Sequence, residues 1–183
     1  MAKEIYYLTG MGGRLKQGLG EELVNRGLEV TGRELVGDFR SLDFQSQVSL
    51  VAEDLRKESL KENSRVIANS FGAYLFLHAQ AEIEPFSGKV LLLSPIVGEF
   101  SDEDTLRTFI PPRSHKIFEM IEIGAYPMPS NFEIHAGEND WQSNPQNVNK
   151  IGNYFAFKVN IVPNAGHMLP KEYVKSALDN FLK

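Results

Sequence analysis

Short unbroken apolar runs alternate along this chain with longer stretches whose apolar residues recur at helical spacing. Ile5-Tyr6-Tyr7-Leu8 is too short for a helix and runs straight into glycines, so it reads as a buried strand, with Thr9–Gly13 as a loop. Arg14–Arg26 puts Leu15, Leu19, Leu23 and Val24 on one face and meets Gly27 as a stop. Gly18 and Gly20 weaken that helix by about 1 kcal/mol each relative to alanine. Leu28–Val36 alternates as a second strand, and Gly37–Asp43 is polar and loop-like. Phe44–Leu60 carries Val48, Val51, Leu55 and Leu60 as the apolar stripe of an amphipathic helix.

The rest of the chain repeats the alternation. Arg65–Asn69 is the third strand. Phe71–Ala81 is a helix apolar nearly all round, as expected of one packed on a sheet and its neighbours. Lys89–Ser94 is the fourth strand, and its continuous apolar run suits a parallel strand covered on both faces. Phe132–Ala136 and Phe157–Val162 are the fifth and sixth strands, separated by a helix over Pro145–Tyr154 that starts at a proline. Pro170–Leu182 closes the chain as a helix. Ile96–Ser130 breaks the rhythm: it is acidic at Asp102-Glu103-Asp104, which reads as a solvated helix start, broken at Pro111-Pro112, and helical over His115–Ile123. Six strands alternating with helices predict a three-layer α/β/α sandwich around a six-stranded, mainly parallel sheet. One domain spanning residues 1–183 is expected, with 96–130 as a small lid.

Composition narrows the classes of function. The net charge of -5 argues against nucleic acid or an anionic membrane surface as main partner. The absence of cysteine excludes thiol catalysis, disulfides and cysteine-ligated zinc. The start of the chain lacks a signal-peptide pattern, and no apolar stretch approaches the roughly 20 residues of a membrane span. The expectation is a cytoplasmic protein. The spacing of histidines offers no metal cluster, and His78, His115 and His135 read as structural or exposed. Gly10-x-Gly12 after a strand, with Glu34 beyond the next strand, hints at a dinucleotide site, but Leu15 stands where the third glycine of that fingerprint belongs. No cofactor is expected.

Ligands of open parallel sheets bind at the carboxyl ends of the strands. Gly10–Gly13, Ser70, Ser94-Pro95, Asp140 and His167 all fall at such ends. Ala68-Asn69-Ser70-Phe71-Gly72 resembles the nucleophile elbow of the α/β-hydrolase superfamily, Gly-x-Ser-x-Gly, with alanine for the first glycine. The order Ser70, Asp140, His167 is similar to the superfamily's order of nucleophile, acid and base. The resemblance extends from Ile5 to Leu182 and corresponds to the superfamily's fold without its first two strands. It is closest to small, nearly capless, esterase-like members.

The resemblance implies a serine hydrolase of small carboxylic esters or thioesters, carboxylesterase-like, working through an acyl-enzyme on Ser70. In that scheme His167 is the base and Asp140 its partner, with Glu138 as the alternative acid. The Phe71 and Met11 amides are the oxyanion donors, and Gly10, Gly12 and Trp141 are substrate contacts. Relatives commonly begin the oxyanion loop with His-Gly; this chain has Thr9-Gly10. The expected partners are a small acyl substrate and water. The rival reading is a hydrolase-fold binding protein, and amidase, peptidase or acyltransferase chemistry would use the same groups.

Overall fold

The computed structural model describes residues 3–102, 106–157 and 159–183. The chain enters on β1 (Glu4–Met11), turns through α1 (Leu19–Asn25) into β2 (Glu29–Leu35), and continues through α2 (Gly37–Ser41) and α3 (Phe44–Glu58) to β3 (Arg65–Asn69). Helix α4 (Phe71–Gln80) leads to β4 (Lys89–Leu93), then a two-stranded excursion, β5 (Phe100–Asp102) and β6 (Arg107–Phe109), and α5 (Lys116–Glu122). Strand β7 (Asn131–Gly137), α6 (Pro145–Phe155), β8 (Val159–Val162) and α7 (Lys171–Phe181) complete it.

Six strands form one sheet in the order β2-β1-β3-β4-β7-β8, every pair parallel. Parallel neighbours need a crossover, and helices supply it on both faces. Alternate residues of each strand therefore enter different cores. Tyr6, Leu8, Val66, Ala68, Val90 and Leu92 pack with α3 to α6. Ile5, Tyr7, Ile67, Leu91 and Leu93 pack with α1 and α7. The strand order runs outward from β1 to β2 and then reverses to β3. That reversal opens a crevice at the carboxyl ends of β1 and β3, the place where such sheets bind ligands.

Several local expectations change. Strand β1 continues through Thr9 and Gly10 to Met11, because Met11 pairs with Leu35. Helix α1 starts at Leu19 rather than Arg14. Gly18, at φ 55°, ψ -117°, is not helical, and a Cβ on Gly20 would fall 2.1 Å from the Leu15 carbonyl oxygen. The polar stretch after β2 is a short helix, since Phe39 packs on the core and the Gln47 amide donates to the Phe39 and Arg40 carbonyls. Helix α3 stops at Glu58, so Leu60 leaves the apolar stripe and is 87% exposed. Strand β8 starts at Val159 because Ala156 ends α6 in the left-handed conformation (φ 55°) and the Phe157 amide turns back to Gly152. Asp102 lies in a strand, not a helix start; Glu103 and Asp104 fall outside the described residues.

Among the described residues no helix is long and apolar enough to cross a membrane. Segment 96–130 contains the β5–β6 hairpin that the pattern of prolines and acids concealed. The segment is tied down by Tyr74, whose hydroxyl donates to the Pro112 carbonyl at 2.6 Å, and by Asn147, whose amide donates to the Glu99 carbonyl at 3.1 Å.

Candidate active site

Ser70 occupies the turn between β3 and α4 with φ 52° and ψ -122°. Positive φ in a residue other than glycine costs about 1–3 kcal/mol and persists only where the surroundings enforce it. Here the Ser70 amide donates to the Leu93 carbonyl at 3.0 Å, and its carbonyl accepts from the Tyr74 amide at 3.2 Å. Gly72 permits the geometry. A Cβ there would lie 2.3 Å from the Thr9 carbonyl oxygen and 2.6 Å from that of Leu8, so α4 lies directly against the β1 backbone. The small residue that close approach demands is therefore at position 72. Ala68, in β3, is buried among the side chains of the face that α4 covers.

The Ser70 Oγ lies 2.8 Å from His167 Nε2. His167 Nδ1 lies 3.0 and 2.9 Å from the two oxygens of Asp140. The Asp140 side chain is fully buried, and its Oδ1 also accepts the backbone N–H groups of Gln142 (3.0 Å) and Ser143 (2.8 Å). Three hydrogen-bond donors thus converge on a carboxylate with no access to water, so its orientation is fixed from both sides. Glu138, the other acid of the same turn, is exposed and accepts from the Asn164 amide at 2.8 Å, pinning the loop that leads to His167. The geometry brings Ser70, His167 and Asp140 into one hydrogen-bonded line and leaves Glu138 outside it.

Phe71 opens α4, where the first N–H groups of a helix have no partner within it. The end of β1 is held by Thr9. Its buried hydroxyl accepts from the Leu35 amide at 2.9 Å and donates to the Gly13 carbonyl at 3.2 Å. The Gly10 amide donates to the Asn69 side-chain oxygen at 3.0 Å, and the Gly12 amide to the Leu35 carbonyl at 3.0 Å.

A cleft of about 370 Å³ opens over these groups. Gly10, Met11, Ser70 and His167 line it; Gly12 and Trp141 do not. Trp141 instead packs edge-on against Phe109 at 6.4 Å and beneath Arg107, whose guanidinium carbon is 5.3 Å from the ring centroid. It anchors the β5–β6 hairpin. The cleft walls that sequence patterning missed are Leu19, Leu93, Leu169 and Val174, with Asn69 and Gln142 as polar groups. Only Asn69 carried a usable signal, its position next to Ser70; the rest converge from α1, β4, the segment after β7, and α7 with the residues before it through folding alone. Of the remaining histidines, His78 is buried with both ring nitrogens unpartnered, and His135 bridges Glu133 (2.7 Å) and the Tyr173 hydroxyl (2.6 Å).

This arrangement of parallel sheet, strained serine turn and buried acid is that of the α/β-hydrolase fold, and comparison with solved structures agrees. The ydeN gene product of B. subtilis superposes with a TM-score of 0.66 at 14% identity, over 99% of both chains. A structure from a study of carboxylesterases of the thaumarchaeon Nitrososphaera gargenis gives 0.65 at 13% identity, over 99% of this chain and 90% of that one. Esterase PE8 gives 0.64 at 11% identity, over 98% and 92%. No protein-family model and no curated protein matches the sequence. The protein therefore has the α/β-hydrolase fold in a minimal form, with six sheet strands.

Proposed function

We propose that the protein is a serine hydrolase acting on small carboxylic esters or thioesters through an acyl-enzyme on Ser70. The observation that carries this reading is the 2.8 Å contact of Ser70 Oγ with His167 Nε2 while buried Asp140 holds the opposite ring nitrogen. A serine hydroxyl is a weak nucleophile until a base takes its proton. In this mechanism His167 Nε2 accepts that proton as Oγ attacks the acyl carbon. Asp140 keeps the other ring nitrogen protonated and offsets the imidazolium charge. His167 then protonates the leaving group, water attacks the acyl-enzyme with His167 again as base, and Ser70 is regenerated.

The tetrahedral oxyanion needs donors already in position. The Phe71 amide, at the start of α4, is one. The Gly10 amide is committed to Asn69, and that of Gly12 to Leu35 on the outer side of β1. The Met11 amide, between these two and beside Ser70 in the cleft wall, is the second donor in this reading. The structural neighbours described as esterases and carboxylesterases, and a cleft with mostly apolar walls, support an ester as substrate. Segment 96–130 acts as a partial lid within the single domain, clipped to Trp141 beside the cleft residue Gln142.

Hydrolysis of p-nitrophenyl acetate or butyrate by the wild-type chain and by Ser70→Ala tests the proposal. Activity should disappear in the variant, and a fluorophosphonate should label Ser70 covalently. Full hydrolysis by Ser70→Ala overturns the serine mechanism. Folded wild-type protein that neither labels nor turns over returns the binding-protein reading.

A further inference from the structure

Asn69 adjoins the nucleophile, yet the chemistry above leaves half of its side chain unused. Its orientation follows from its partners. The Gly10 backbone N–H can only donate, so the atom 3.0 Å from it is the amide oxygen, not the nitrogen. The Tyr7 hydroxyl donates to the same oxygen at 2.8 Å. Tyr7 is buried, and burial pushes its pKa well above the usual tyrosine value, so it remains a donor across the working range of pH. With the oxygen held on the protein side by two donors, Nδ2 and its two hydrogens turn the other way, where Asn69 lines the cleft. Among the described residues Nδ2 has no hydrogen-bond partner, and it is not one of the buried unpartnered atoms, so it remains open to whatever fills the cleft. Gly10 keeps it open: a Cβ there would lie 2.9 Å from Nδ2 and 3.2 Å from the Ser70 Cβ.

The surroundings define what this donor can meet. Of the other walls, Leu19, Leu93, Leu169 and Val174 are aliphatic, and Ser94 and Gln142 are uncharged polar groups. Among the described residues no lysine or arginine lines the cleft, so no permanent cation meets a substrate carboxylate there. A pre-oriented N–H in a mostly apolar wall without lysine or arginine suits a neutral oxygen.

We propose that Asn69 is a substrate-binding residue whose side-chain NH2, fixed by Gly10 and Tyr7, donates to a neutral oxygen carried by the substrate beyond the carbonyl that Ser70 attacks. The preferred substrates are then short esters bearing an ether, keto or second ester oxygen, rather than plain alkyl esters. This inference rests on the hydrolase reading for its substrate class.

The test compares two acyl groups of equal length and nearly equal shape, p-nitrophenyl methoxyacetate and p-nitrophenyl butyrate. Wild type is measured against Asn69→Asp, which keeps an oxygen for Gly10 and Tyr7 but removes the donor, and against Asn69→Ala. The ratio of kcat/KM values for the two esters cancels any change in Ser70 or His167. Loss of one hydrogen bond to a neutral acceptor should lower the ratio about three- to tenfold in both variants. A ratio unchanged in Asn69→Asp overturns the proposal and leaves Asn69 as a clamp on the β1 loop. A second arm needs no turnover. The Asn69 side-chain amide of ¹⁵N-labelled Ser70→Ala protein is followed by NMR during titration with methyl methoxyacetate or methyl butyrate. Its resonances should move with the ether ester and not with butyrate; equal movement with both, or none, overturns the assignment. If wild type hydrolyses neither p-nitrophenyl ester, the hydrolase reading fails, and the NMR arm still decides the role of Asn69.

Discussion

Asp140 grips His167 with both carboxylate oxygens, at 3.0 and 2.9 Å from Nδ1, from a side chain wholly shielded from water. Glu138, two residues earlier, holds the Asn164 backbone instead. The two acids of one turn thus have separate tasks. Asp140→Asn keeps the shape but presents His167 with an amide that favours the wrong tautomer, so ester hydrolysis should fall by about 10⁴ in kcat. Glu138→Gln should leave kcat within a few-fold of wild type. Steady-state kinetics on both variants, with circular dichroism as a folding control, checks the division; equal losses would contradict it.

Gly72 meets backbone rather than side chains, with the Thr9 carbonyl oxygen 2.3 Å from the position a Cβ would take. Backbone cannot swing aside as a flexible side chain does. Gly72→Ala should therefore destabilise the fold by about 1–3 kcal/mol in urea unfolding, at unchanged m-value. Ala68→Gly, at the position where the hydrolase elbow usually carries glycine, relieves no contact of this kind. It should cost only the added chain entropy and the lost methyl, roughly 1 kcal/mol.

His78 is buried between Phe44, at 5.0 Å, and Tyr74, at 4.5 Å between ring centroids, with neither nitrogen partnered. Burial, reinforced by the Lys116 and Arg113 charges from the 96–130 segment, pushes its pKa down from 6.5 to about 3. The sign follows directly: below pH 6.5 the unfolded chain binds a proton that the folded chain refuses. The stability contributed by neutral His78 is thus fully present above about pH 6.5 and declines as pH falls toward 3, by at most about 1.4 kcal/mol per pH unit. His78→Phe should match wild type near pH 7 and flatten the acid limb of stability against pH, because no hydrogen bond is lost. Denaturant melts from pH 4 to 8 measure this, and parallel curves for the two proteins would refute it.

Trp141 is the one tryptophan of the chain and carries the Phe109 and Arg107 contacts of the β5–β6 hairpin. Its fluorescence therefore reports on the proposed lid. Phe109→Ala should expose the indole and shift emission to longer wavelength without changing the far-ultraviolet circular dichroism. An unmoved spectrum would mean that the hairpin stays seated without the Phe109 ring.

The alternation of apolar runs and amphipathic stretches determined the six sheet strands and their crossover helices, because burial on both faces keeps central strands such as β3 and β4 almost continuously apolar, while the edge strand β2 shows as an alternation. It also marked Ser70, Asp140 and His167 as residues at strand ends, since strand ends follow from where an apolar run stops. Boundaries set by glycine conformation or by a single tertiary contact were hidden. The late start of α1 depends on the φ of Gly18 and the approach of Gly20 to Leu15, and the short helix after β2 depends on Phe39 finding the core. The hairpin of segment 96–130 escaped because it pairs Phe100 with Phe109, a register that no periodicity announces. Only tertiary structure decided which acid faces His167, that Trp141 serves the hairpin instead of the cleft, and that Asn69 turns its nitrogen toward the cleft. Each of those outcomes depends on atoms brought together from distant parts of the chain, and a linear pattern of polarity carries no such distances.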